Sequence, residues 1–247
     1  RLHHREEGHG APALVLVHGW GSGLGTWTTC VPKLAKEHRV VAVDLRGHGG
    51  SPVPEHGYGP SDLAADLADL IDRLGLAPVV AVGHSMGAQV VSVLAVQRPE
   101  AVSGLVVVDP AYGADDEEAA LVHGRLAELR RDGAAAAVRQ HRLTGPLAEQ
   151  MLATPGHVLA EAYAGMYVDP GAFGLRAASE RFLARRTCPV LALHARRAPA
   201  RWESSLPIPV GSHVVLWEGS GHFLHEERPD DFADLVSHWV DQLAARA

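Results

Sequence analysis

Cysteine pairs, membrane-length apolar runs and basic stripes are all missing from this chain, and each absence removes a class of function. Only Cys30 and Cys188 occur, far apart and without metal-ligand spacing, so neither a disulfide framework nor a zinc site is expected and free thiols in a reducing cytoplasm are. No apolar run is long enough to span a bilayer, which argues against a membrane partner, and the opening RLHHREEGHG has no signal-peptide core. The lack of Met at position 1 suggests trimming and leaves room for a removed leader. With 22 basic against 29 acidic residues the net charge is −7, and no basic cluster offers the footprint that phosphate binding needs, so nucleic acid is not an expected partner. Sixteen histidines invite a metal. Yet His3 and His4 are adjacent on a predicted edge strand, which sends them to opposite faces, and no H-E-x-x-H spacing occurs, so surface histidines, no metal and no cofactor are the expectation.

What is present is alternation. The 247 residues suit one α/β domain with an insertion. Ala13 to Val17, Arg39 to Val43, Pro78 to Gly83, Gly104 to Val108, Pro189 to Leu193 and His213 to Trp217 read as strands, most of them continuous apolar runs of the kind a doubly covered parallel sheet requires. Leu2 to Glu7 reads as a short edge strand. Thr26 to His38 is helical by pattern, Ser61 caps a predicted helix that Gly75 stops after Leu74, and the last amphipathic helix starts at Pro229. Asp44 and Arg46 are expected to fix their glycine-rich turn by local hydrogen bonds and an ion pair. From Ala111 to Arg186 helical patterns continue without a convincing strand.

The chemistry centres on Gly83-His84-Ser85-Met86-Gly87, between a predicted strand and a predicted amphipathic helix from Met86 to Arg98. With 26 glycines such a pattern arises by chance too easily to stand alone, so the flanking strand and helix carry the reading. A turn that tight strains its central residue and excludes side chains beside it. It thrusts Ser85 out of the sheet end near a helix N-terminus, the geometry of an attacking nucleophile. After the first core strand, His18-Gly19-Trp20-Gly21 lets backbone amides approach a ligand, and the Trp20 N–H with that of Met86 could form an oxyanion hole.

Near the C-terminus stands Gly219-Ser-Gly-His222-Phe-Leu-His225-Glu-Glu-Arg-Pro229. Taken together, H-G-W-G, D-L-R-G-H-G-x-S, G-H-S-M-G and G-H-F-x-x-x-E-x-P resemble the α/β-hydrolase fold over nearly the whole chain, in its serine-nucleophile, esterase- or lactonase-like branch. The resemblance implies a mostly parallel doubly wound sheet as a core domain of residues 1–110 and 187–247, with residues 111–186 as a helical cap inserted after the sixth core strand. It implies Ser85 as nucleophile, His222 as general base with His225 as runner-up, and oxyanion amides at Trp20 and Met86. For the acid the chain departs from the common pattern, reading His194-Ala-Arg-Arg-Ala198-Pro199 where most relatives carry Asp. A second placement used by some relatives falls on Asp109; an Asp-Pro there also serves merely to shape the loop, and Glu203 is the fallback. A small-molecule substrate is expected, with Gly19, Trp20, Tyr112, Met166 and Phe223 as candidate contacts and Met151, Tyr163, Tyr167 and Phe173 as further apolar roof. The leading function is hydrolysis of a small to medium hydrophobic ester or lactone through an acyl-enzyme. A lyase, cyclase or cofactor-independent oxygenase using His222 as base, or a small-molecule receptor, remain open alternatives, as does oligomeric state, a homodimer included.

Overall fold

A computed structural model describes residues 1–245. Its strands β1 (His4–Glu7), β2 (Ala13–Val17), β3 (Val40–Val43), β4 (Val79–His84), β5 (Val102–Val108), β6 (Val190–His194) and β7 (His213–Leu216) form one sheet in the order β1-β3-β2-β4-β5-β6-β7. Only β1 runs antiparallel, at the edge. The apolar strands are buried on both faces and divide strictly by alternation. Val15, Val17, Ala81, Leu105 and Val107 face one core cluster; Leu14, Leu16, Val80, Val82, Val106 and Val108 face the other.

On the second face lie α1 (Val31–Leu34), α10 (Leu224–Glu227) and α11 (Pro229–Ala244), with Trp27, Phe232 and Trp239 at zero to 2% exposure. On the first, α2 (Pro60–Leu74) packs across α3 (Met86–Gln97). Each fully buried Leu or Val contributes on the order of 1.5–3 kcal/mol, so the two clusters together fix the strand ends that carry the site. Between β5 and β6 come α4 (Asp116–Asp132), α5 (Ala134–His141), α6 (Gly145–Ala153), α7 (Gly156–Tyr167) and α8 (Arg176–Leu183), and α9 (Arg197–Ser204) follows β6. Five strands, not six, precede this helical segment. Its base is joined by a bridge in which Ala114 N–H donates to Gly174 O at 3.0 Å and Arg176 N–H to Ala114 O at 2.9 Å.

Several local expectations need correction. Thr26 to His38 is not one helix: a 3-10 turn at Leu24–Trp27 precedes the four-residue α1, because Pro32 lacks the N–H that a helix running through it needs. The amphipathic reading of α3 fails as well, since every residue from Met86 to Ala95 is buried between the sheet and α2. The N-cap of α2 is Gly59, whose N–H donates to Asp62 Oδ2 at 3.2 Å, and Ser61 lies in the first turn. Arg46 finds its carboxylate 20 residues away, gripping Asp66 with Nε at 2.5 Å and Nη2 at 2.6 Å, while Asp44 accepts N–H groups from Leu24 and Gly50. Both cysteines are free. No helix among the described residues is long and apolar enough to cross a membrane.

Candidate active site

The adjacent ends of β4 and β5 present Ser85 and Asp109, and the loop after β7 brings His222 to them. Ser85 takes φ 52° and ψ −115°, a conformation that residues with a side chain rarely adopt, directly between β4 and α3. The flanking glycines make the bend possible: a Cβ on Gly83 would lie 2.3 Å from Gly87 O, and one on Gly87 would lie 2.3 Å from Val17 O. The Ser85 N–H donates to Val108 O at 3.0 Å, tying the bend to β5. One residue on, Asp109 also has positive φ, 41°, and its N–H donates to Leu193 O of β6 at 2.8 Å.

His222, in the loop before α10, meets this acid. With the carboxylate ionised, His222 Nδ1–H donates to Asp109 Oδ2 at 2.6 Å, while Ala195 N–H donates to Oδ1 at 3.3 Å. Burial works to raise the Asp109 pKa, but the hydrogen bond and charge of His222 and the Ala195 amide outweigh it and hold the carboxyl below its ordinary value. The His222 loop is pinned twice: its carbonyl accepts His84 Nε2–H at 2.9 Å, and Gly221 N–H donates to the Glu227 carboxylate at 2.8 and 3.0 Å. Burial, then the neighbouring His222 and His225, keep His84 well below the usual histidine range, so it serves as a neutral donor.

The Ser85 and His222 side chains line one cavity with two lobes, and no hydrogen bond joins Ser85 Oγ to His222 in this structure. A narrow lobe of about 80 Å³ runs between Trp20, Leu147 and Met151; a wider one of about 440 Å³ opens toward Tyr163, Arg125 and Arg176. His141, Leu143 and Phe223 border both. Met86 is the first residue of α3, so its N–H has no acceptor within the helix. The loop carrying the Trp20 amide is held by two neutral histidines. His18 donates from Nδ1 to Gly19 O at 2.7 Å and accepts Leu45 N–H at 3.0 Å; His48 donates from Nδ1 to Arg46 O at 3.0 Å and accepts Gly21 N–H at 3.2 Å. A Cβ on Gly19 would lie 3.2 Å from the Ser85 Cβ, so glycine there lets this loop close on the serine.

The profile of the alpha/beta hydrolase family matches residues 14–235. The chain belongs to that family. An uncharacterized protein of Mycobacterium tuberculosis is 30% identical over 93% of this chain and 75% of its own length. Among solved structures, a thermophilic esterase from Thermogutta terrifontis superposes with a TM-score of 0.81 at 25% identity, covering 98% of this chain and 93% of that one. The enol-lactonase from Burkholderia xenovorans LB400 gives a TM-score of 0.79 at 23% identity, over 97% and 96% of the two chains.

In this alpha/beta hydrolase the predicted residues do not all converge. Ser85, His222, Asp109, Gly19, Trp20, Tyr112 and Phe223 border the cavity, as do Met151, Tyr163 and Tyr167. Met166 does not: it is 2% exposed in the core beneath α7. Phe173 stacks on Phe182 at 3.9 Å, away from the site. His225 is neither base nor surface residue, because its fully buried ring lies against Trp27 at 4.1 Å and burial pushes its pKa down to about 3. Glu203 serves a different group, accepting His194 Nε2–H at 2.8 Å, the Tyr112 hydroxyl at 2.7 Å and Arg186 Nη2 at 3.3 Å, all buried. The expectation of surface histidines is likewise corrected, since His18, His38, His48, His84, His194 and His225 are buried. No cluster of metal-ligating side chains occurs among the described residues. Sequence reasoning missed His84, Arg125, His141 and Leu143; only His84 had a signal, its place inside the serine turn.

Proposed function

We propose that the chain is a serine hydrolase that cleaves a small to medium hydrophobic carboxylic ester, or a lactone, through an acyl-enzyme. The observation that carries this reading is the 2.6 Å contact between His222 Nδ1 and Asp109 Oδ2, made on the wall of the cavity that Ser85 lines. An acceptor at Nδ1 fixes the tautomer and leaves Nε2 unprotonated, the form a general base must have.

In the first half-reaction, a rotamer change at Ser85 or His222 brings the hydroxyl onto Nε2, as such bonds tighten when substrate arrives. Ser85 Oγ then attacks the carbonyl carbon while Nε2 takes its proton. The oxyanion accepts hydrogen bonds from the Trp20 and Met86 amides. Collapse breaks the ester C–O bond, and the departing alcohol oxygen takes the proton back from Nε2. In the second, His222 deprotonates a water that attacks the acyl carbonyl, releasing the acid and restoring Ser85. Asp109 stays ionised throughout and stabilises the imidazolium.

The test is a fluorophosphonate probe together with a panel of esters and lactones, applied to wild type and Ser85→Ala. Labelling at Ser85 with turnover abolished in the variant is the expected result. Labelling without turnover of any member would replace this reading with a receptor, and turnover undiminished in Ser85→Ala would assign the chemistry to His222 without a covalent step.

A further inference from the structure

The wider lobe is richly charged, and although its carboxylates equal its arginines in number, they do not pair off with them. Three carboxylates border it, and each is already engaged. Asp109 holds His222 and the Ala195 amide. Asp115 caps α4, its Oδ1 accepting the Glu117 and Glu118 amides at 3.1 and 3.0 Å. Glu118 accepts the Asp115 amide through Oε2 at 3.3 Å and faces Arg196 through Oε1 at 3.7 Å. Of the three arginines on the same walls, Arg196 has that partner, whereas neither Arg125 nor Arg176 has a carboxylate within 4 Å among the described residues. Arg176 lies over the Trp202 ring at 5.7 Å and donates from Nε to Gly113 O at 3.4 Å.

Arg125 shares the wall of the wider lobe with Ser85 and His222. It is half-buried on α4, among Tyr163, Tyr167 and His141. Burial lowers the His141 pKa, and Arg125 and His222 each lower it further, so the arginine's charge reaches the residue that borders both lobes. For Tyr163 burial raises the pKa, Arg125 opposes the rise, and the Glu118 carboxylate adds to it more weakly. A half-buried cation without a counterion is costly to keep dry, and an anionic ligand relieves that cost. The narrow lobe, bounded by Trp20, Leu147 and Met151, has no comparable cation and takes apolar groups.

Resting on the hydrolase reading, we propose that the preferred substrates are esters or lactones that carry a second, free carboxylate, received by Arg125 in the wider lobe with Arg176 adding field, while an apolar portion enters the narrow lobe. Arg125 is thus a specificity-determining residue.

The experiment compares monomethyl dicarboxylates of increasing chain length with methyl alkanoates of matching length, in which a methyl group replaces the free carboxylate. Hydrolysis is followed by pH-stat titration. At the best length the carboxylate member is favoured in kcat/KM by about 10- to 100-fold, the range for one charge-assisted hydrogen-bonded pair. Arg125→Gln brings that ratio close to one, and Arg125→Lys retains part of it. No preference at any length, or a preference unchanged in Arg125→Gln, overturns the proposal. Calorimetry on Ser85→Ala separates recognition from chemistry. Half-ester binding there that is lost in the Ser85→Ala/Arg125→Gln double variant upholds the anion site even if no ester is turned over, an outcome that would defeat the hydrolase reading alone. Half-ester binding equal in the two variants, or absent from both, defeats the anion site.

Discussion

Asp109→Asn is the sharpest test of the proposed triad, because either way the new amide turns it fails one of two partners. The carboxylate has two claims on it: Ala195 N–H donates to Oδ1 and His222 Nδ1 sits on Oδ2. An asparagine has one oxygen. Placed toward Ala195, that oxygen leaves the NH2 group facing His222 Nδ1, which must then give up its proton and accept. The proton moves to Nε2, the nitrogen that has to receive the Ser85 proton, and the base is lost. Flipping the amide restores the tautomer but sets NH2 against the Ala195 N–H. Either arrangement also removes the negative charge that stabilises the imidazolium. A wrong tautomer of this kind costs about 10³- to 10⁴-fold in kcat, or about 4–5.5 kcal/mol in the barrier. Asn accepts positive φ at least as readily as Asp, so the 41° backbone of this position is not disturbed. The assay is kcat and KM on an ester turned over by wild type, with thermal unfolding as the control. Near-normal kcat in a folded variant would remove Asp109 from the triad.

Three further outcomes are expected. His48 and His225 are pushed down to about 3 by burial, so each contributes stability that is complete above the unfolded value of about 6.5 and is lost as pH falls from there toward 3. The unfolding free energy from urea titrations should therefore fall below pH 6.5 with a slope of about 1.4 kcal/mol per pH unit for each such histidine, and His225→Phe should flatten it by one share. Glu203→Ala strands the Arg186 guanidinium, whose side chain is 1% exposed, and should cost about 3–5 kcal/mol, a Tm fall on the order of 10 °C, measurable by calorimetry. Gly87→Ala drives a Cβ to 2.3 Å from Val17 O and 2.7 Å from His18 O, so the serine bend must shift; ester turnover should fall by about 10²-fold, given how steeply rate depends on sub-ångström placement.

The parts of this molecule that could be read in advance are those governed by short-range rules. Apolar runs such as Ala13 to Val17 fit only a doubly covered strand, and the strained serine demands its neighbouring glycines whatever surrounds them. Partnerships made across the chain left no such trace. Arg46 sits beside Asp44 in sequence yet pairs with Asp66 on α2. His18 and His48 look like surface residues among glycines, but the turn folds inward and both rings become bridges between loops. α3 lacks a polar stripe because it is roofed by α2, which its own sequence does not reveal. Asp109 could be picked out as the partner of His222 from an absence at Ala198; the unpaired Arg125 could not, because an arginine on a helix reads as solvated until its surroundings are known.

The two backbone bonds through Ala114, together with the β5–β6 pairing that begins one turn below, close the root of the helical segment before its first helix starts. The stretch from 115 to 175 is thus clasped at its neck, and it carries cavity wall, Arg125, His141 and Tyr163 among it, but not Ser85, Asp109 or His222. What shapes the wider lobe and what stands at its floor are therefore drawn from separate lengths of one chain.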